Sequence, residues 1–153
     1  MGIPKKVIKF LEKSKVNYEI LKHKKVFTAF DKSKTLKVSP AVVVKTVVLK
    51  IDKNFAFVLI PADKKVDIRK LKKFGKKIEI VPEKKIKLKF KGVKLGAIPP
   101  FGDLFKVQTF VDKSLFKKRE LILNSGDWEH SIKIRPSFLK VLISNFVSGS
   151  FSK

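Results

Sequence analysis

Residues 42–60 read Val42-Val43-Val44-Lys45-Thr46-Val47-Val48-Leu49-Lys50-Ile51-Asp52-Lys53-Asn54-Phe55-Ala56-Phe57-Val58-Leu59-Ile60. Two runs rich in β-branched and aromatic residues flank a polar break, Asp52-Lys53-Asn54, and this pattern predicts a hairpin with strands over 42–51 and 55–60. Alternate residues of a strand share a face. Val43, Lys45, Val47, Leu49 and Ile51 therefore lie together, opposite Val44, Thr46, Val48 and Lys50. Lys45 is the one charge on the more apolar face. An ammonium is costly to bury unless it is paired or faces a polar cavity. Lys45 is thus a functional group, or a side chain that snorkels at the sheet edge, or the partner of Asp63 or Asp112.

Working outward, residues 4–13 read as an amphipathic helix with Ile3, Val7, Phe10 and Leu11 on one face. Residues 18–21 are a strand leading to His23. Thr28 caps a short helix to about Leu36, ended by Ser39-Pro40. Beyond the hairpin, Asp67 caps a helix through Phe74, which Gly75 terminates, and residues 78–81 form a short strand. Strands follow over 107–111, 120–123 and 131–134, then a helix over 136–146. Residues 86–90 carry two readings. Ile86, Leu88 and Phe90 alternate with lysines, as in a strand, whereas Pro82-Glu83 is a reasonable helix start. The chain reads as one domain over 1–153, with 148–153 a frayed tail. The class is α+β, a central mixed, curved β-sheet surrounded by helices.

The chain has 153 residues, 44% of them hydrophobic, enough for a real core. Cysteine is absent, which excludes a disulfide scaffold, a thiolate nucleophile and a cysteine-ligated zinc, and fits the cytoplasm. No apolar run approaches membrane-spanning length, and the N-terminus lacks a secretory signal's apolar segment. The formal net charge is +24. A polyanionic partner accounts for it, since neutralised phosphates release counterions; a lysine-biased composition accounts for it equally. Arginine occurs only at Arg69, Arg119 and Arg135. Lysine lacks arginine's forked donor geometry, so the charge suggests attraction to a phosphate backbone rather than base readout. No metal-ligand spacing, nucleophile elbow, phosphate loop or dinucleotide fingerprint is present. No metal and no cofactor is expected.

Four stretches then stand in order: Val44-Lys45-Thr46, Pro61-Ala62-Asp63, Gly96-Ala97-Ile98-Pro99-Pro100-Phe101-Gly102 and Asn124-Ser125-Gly126. Together, with their spacing, they resemble the YbaK/prolyl-tRNA-synthetase-associated domain family over residues 18–142. The resemblance implies a hydrolase for wrongly charged aminoacyl-tRNA, with alanyl- or cysteinyl-tRNA for proline as the usual substrates. It implies a helix over the ambiguous 86–90. It also implies that Lys45 lies in the active-site pocket and is needed for activity. Gly96 and Pro100 match a glycine, three variable residues and a proline, continued by Phe101-Gly102. Such a loop can aim backbone N–H groups at a carbonyl oxygen, because glycine permits close approach while proline removes donors. Thr28 matches a threonine near the substrate, Thr46 follows the lysine, and Gly126 matches a glycine bordering the pocket. His23 is a candidate general base, and His130 follows in the segment after Gly126. Trp128 covers the core or stacks on a base.

An aminoacyl ester is activated, so its hydrolysis needs orientation, a water and oxyanion stabilisation, and no side-chain nucleophile. Mischarged tRNA is the expected partner, with an aminoacyl-tRNA synthetase as a second; neither membrane nor DNA is expected. The rival reading is a non-catalytic basic RNA- or tRNA-binding protein on the same fold.

Overall fold

The structure is a computed structural model that describes residues 2–153; Met1 lies outside them. The hairpin forms: β2 (Val44–Ile51, the second strand in the chain) pairs antiparallel with β3 (Asn54–Pro61), Val47 opposite Val58. Asp52 turns the chain with a φ of 56°. Aspartate tolerates this conformation, and here its Oδ1 accepts from the N–H groups of Lys76 and Lys77. β2 begins later than its β-branched run suggests, because Ser39 caps a short 3₁₀ helix, Pro40–Val42, ahead of it.

β3 is the central strand of a five-stranded mixed sheet, order β4-β2-β3-β5-β8, with β4 Ile78–Ile80, β5 Gln108–Asp112 and β8 Val147–Gly149. The β3–β5 and β5–β8 pairs are parallel and the rest antiparallel. Its alternation separates two cores. Phe57 and Leu59 enter one with Val44 and Val48, whereas Ala56, Val58 and Ile60 enter the other with Leu49. Each large apolar side chain removed from water contributes about 1.5–3 kcal/mol. A second, antiparallel sheet of β1 (Glu19–Lys22), β7 (His130–Ile134) and β6 (Leu121–Asn124) joins the first through a parallel bridge between Val43 and Ile122.

Helices surround the sheets, giving the expected α+β architecture. α1 (Lys5–Ser14) buries Val7 and Leu11. α2 (Ala29–Leu36) is capped by Thr28, whose Oγ1 accepts from the Asp31 N–H at 3.1 Å. α3 (Glu83–Lys89) decides the ambiguous stretch in favour of helix. Ile86 and Phe90, four apart, pack on the core while Leu88 is 69% exposed. A strand would have put all three on one face. Two short helices, α4 (Gly102–Phe105) and α5 (Leu139–Leu142), complete the layer.

The C-terminal segment differs from expectation twice. The helix expected over 136–146 is only a 3₁₀ helix, Pro136–Phe138, followed by α5. Ile143 is already extended, Asn145 takes a φ of 52°, and the Asp103 carboxylate accepts from the Ser144 N–H. Residues 148–153 are not frayed. β8 adds to the sheet, Phe151 is buried against Phe74 and Phe110, and Ser152 bridges to Val66. The Asp112 carboxylate accepts from the Phe151 N–H and the Ser152 hydroxyl. One buried aromatic and one buried carboxylate anchor the tail.

Candidate active site

A cavity of about 300 Å³ opens beside β2. It exists because β4 stops short. The Val81 N–H reaches the Val48 carbonyl, and Pro82 then leads the chain into α3. Antiparallel alternation turns the N–H and C=O of Thr46 to the same side as those of Val48, into the gap beyond the last paired residue. The Thr46 hydroxyl is buried and, among the described residues, has no hydrogen-bond partner. An unsatisfied buried group of this kind is uncommon in a native fold. The start of α2 (Phe27, Thr28, Ala29), the loop residues Leu95, Gly96 and Ile98, and Asn124 complete the walls, with Ile80, Val81, Glu83 and Ile86 opposite.

Lys45 also lines this cavity, on the side-chain face opposite Thr46. It is half-buried, and its ammonium donates to the Lys64 carbonyl at 2.6 Å. Burial pushes its pKa down, against the attraction of Asp63. Among the described residues no carboxylate lies within ion-pair distance of it. Asp112 is committed to Ser114 and the C-terminal segment.

The loop over 96–102 divides into two halves. Gly96 has a φ of +78°, and a Cβ there would collide with the Phe27 carbonyl oxygen. Only glycine lets the loop press against the segment entering α2. The Ala97 carbonyl accepts from the Gly126 N–H at 2.7 Å, so the turn at Gly126 (φ +93°) braces the loop from behind. The Ala97 N–H is spent on the Lys94 carbonyl. Gly96 and Ile98 reach the cavity; Pro100, Phe101 and Gly102 are buried away from it. Phe101 stacks on Phe10 at 5.1 Å. A Cβ on Gly102 would collide with Thr109 Oγ1, so this glycine permits close packing of α4 on β5.

The two histidines lie outside the cavity lining. His23 Nδ1 is 2.8 Å from the Lys24 carbonyl, which only accepts, so Nδ1 carries the proton and Nε2 accepts from the Ser131 hydroxyl at 2.8 Å. Burial lowers the His23 pKa, and the charge of Lys32 adds to this. His130 donates through Nδ1 to Asp127. Burial alone would raise the Asp127 pKa, but hydrogen bonds from His130 and from the Glu129 N–H bring it below its ordinary value.

Sequence reading did not single out Lys32, and it quoted Asn124 only within the Asn124-Ser125-Gly126 stretch, with no role of its own. Lys32 is 3% exposed, and burial pushes its pKa down to about 7. The available signal was its position three residues after Ala29, on the inward stripe of α2, but one lysine among so many is inconspicuous. Trp128 is half-buried and donates to the Leu95 carbonyl at 2.8 Å; Phe27 meets its ring edge-on, and Lys25 and Lys94 lie over it. Phe27 and Phe30 are 53% and 44% exposed, with Lys34 over Phe30. Among the described residues no group of three histidine or acidic side chains is placed to hold a metal, and no helix is long and apolar enough to cross a membrane.

An open mixed sheet with a partly apolar cleft at the free edge of its second strand defines the class of domain. The model of the aminoacyl-tRNA editing domain matches residues 23–141, and the chain belongs to that family, which is associated with hydrolysis of mischarged tRNA. No curated protein sequence matches the chain. Its fold is similar to the crystal structure of the hypothetical protein APE2540, with a TM-score of 0.88 at 20% identity, covering 97% of this chain and 100% of that one. It is also similar to the structure of a candidate trans-editing enzyme for prolyl tRNA synthetase, with a TM-score of 0.84 at 16% identity over 97% and 95% of the two chains. A longer candidate signal transduction protein from Marinobacter aquaeolei VT8 contains the fold in 31% of its length, with a TM-score of 0.75 at 14% identity over 99% of this chain.

Proposed function

We propose that the chain is a cytoplasmic aminoacyl-tRNA deacylase that hydrolyses the ester of mischarged tRNA in trans, with alanyl- or cysteinyl-tRNA for proline as its substrates. The observation that carries this reading is the cavity in which Lys45, Thr46 and Gly96 meet. Water attacks the ester carbonyl, the bond to the ribose oxygen breaks, and free amino acid and tRNA leave. The Lys45 ammonium, held only by a backbone carbonyl, can swing to the developing oxyanion. Thr46 offers its carbonyl and hydroxyl as acceptors for the substrate's α-amino group, and Thr28 borders the same space. Gly96 and Pro100 set the loop's shape, which Phe101, Gly102 and Gly126 hold from the core side. His23 and His130 act at a distance, by fixing the β1–β7 margin. The apolar walls suit a small side chain and exclude a larger one, adding selectivity that synthetase binding cannot supply.

The exposed rings of Phe27 and Phe30 and the lysines around Trp128 lie at or near the cavity. They support docking of a single-stranded tRNA 3′ end, whose bases stack on aromatic faces while lysines meet phosphates. The test offers a panel of mischarged tRNAs to wild type and Lys45→Ala. Wild type should release the small amino acid. Folded Lys45→Ala should be slower by about 10²–10³, the scale of losing one oxyanion donor. Tight binding without hydrolysis would favour a non-catalytic tRNA-binding protein instead. A pull-down with prolyl-tRNA synthetase tests for docking to that partner.

A further inference from the structure

Beneath the cavity lies a buried pair that the proposed mechanism leaves unused. Lys32 on α2 and Asn124 at the end of β6 are each 3% exposed. The Lys32 Nζ donates to Asn124 Oδ1 at 2.6 Å, and Asn124 Nδ2 donates to the Ile98 carbonyl at 3.3 Å. A donor at one end of the amide and an acceptor at the other allow one orientation only. A flip would set the amine against the NH₂ and Oδ1 against a carbonyl. One amide hydrogen is used by Ile98. The second has no acceptor among the described residues, and Asn124 lines the cavity together with Thr28, Thr46 and Gly96. An apolar residue at position 32 would fill the space without desolvating an amine, but it would leave the amide held by the Ile98 carbonyl alone.

We propose that the second amide N–H of Asn124 donates to the carbonyl oxygen of a bound aminoacyl ester, and that Lys32 is the residue that positions it. The inference rests on the deacylase reading and names a contact within that site. The ester carbonyl is the fitting group, because the α-amino group of the substrate is itself a donor and would meet Lys32 and the amide unfavourably. Lys32 touches no substrate and is shielded from phosphate, so its loss acts on the chemical step rather than on tRNA capture.

The experiment compares wild type, Lys32→Met, Asn124→Ala and the double variant. It reads the single-turnover rate at saturating enzyme and, separately, the affinity for uncharged tRNA. Each single variant should lose about tenfold in rate, the scale of one hydrogen bond, with affinity within twofold of wild type. The double variant should be no slower than Asn124→Ala. A wild-type rate in folded Lys32→Met, or losses that multiply in the double variant, would overturn the proposal. A second measurement needs no variant: the Asn124 side-chain amide signals of ¹⁵N-labelled wild type should shift on titration with a 3′-aminoacylamino-adenosine, which has an amide in place of the ester. Unmoved signals at saturation overturn the contact. If wild type hydrolyses no ester in the panel, the deacylase reading falls, and this titration still decides the Asn124 contact by itself.

Discussion

Replacing Lys32 with methionine should remove a rise in stability on the alkaline side of neutrality. Burial lowers the Lys32 pKa from 10.5 in the unfolded chain to about 7 in the folded one. Between those values the unfolded chain holds a proton that the folded chain has lost. Stability therefore increases with pH across the window. Below pH 7 both states are protonated and the full burial penalty applies; above 10.5 both are neutral and it is gone. From pH 7.5 to 9.5 wild type should gain on the order of 2–3 kcal/mol relative to Lys32→Met, since the slope approaches about 1.36 kcal/mol per pH unit once the folded chain has lost the proton. Other titrations do not imitate this. Lys45, lowered by burial, is common to both proteins. Tyr18, raised by burial and by Glu12, acts in the opposite sense and only near its ordinary value of 10. His23, lowered by burial, titrates below the window. Urea unfolding followed by Trp128 fluorescence at pH 7.5, 8.5 and 9.5 measures the difference. A gap between the two proteins that is constant over the three pH values would show that Lys32 keeps its proton in the fold, and would refute the reasoning.

Gly96→Ala should cost on the order of 1–3 kcal/mol, the scale of backbone strain, and should slow deacylation by prising the loop from Phe27; an unchanged melting temperature would show that the collision is relieved cheaply. Deleting residues 148–153 should destabilise by about 3 kcal/mol or more, as for loss of a buried phenylalanine, because Phe151 leaves the second core and Asp112 loses two donors; calorimetry giving the wild-type transition would contradict the anchoring described. For tRNA binding, the logarithm of affinity should fall linearly with the logarithm of salt concentration, with a slope set by several phosphate contacts. A flat response in filter binding would mean that the charge of +24 is incidental.

Much was legible where one element carries its own signal. The break at Asp52-Lys53-Asn54 gave the hairpin, Thr28 capped α2 and Asp67 capped the segment Ile68–Phe74, which forms a 3₁₀ helix, and the four spaced stretches pointed to the editing-domain family. These features depend on residues within a few positions of one another, so periodicity and turn chemistry suffice to read them. The loop over 96–102 was visible as a shaped segment, yet its sequence did not say that Gly96 and Ile98 face the cavity while Phe101 and Gly102 face the core. That division depends on Phe27 and Thr109, which the fold brings from far along the chain. The C-terminal residues were misread for the same reason. β8 is held by parallel pairing to a strand more than thirty residues earlier, and a short run such as Val147–Gly149 has no local preference strong enough to announce it. Likewise the gap over Thr46 exists because β4 departs at Pro82, and the burial of Lys32 exists because β6 ends in an asparagine facing α2. Sequence by itself determined the hairpin, the capped helices and the family. Tertiary packing alone decided which strand edge stays unpaired and which lysine among many is taken out of water, because both depend on what a distant segment leaves uncovered.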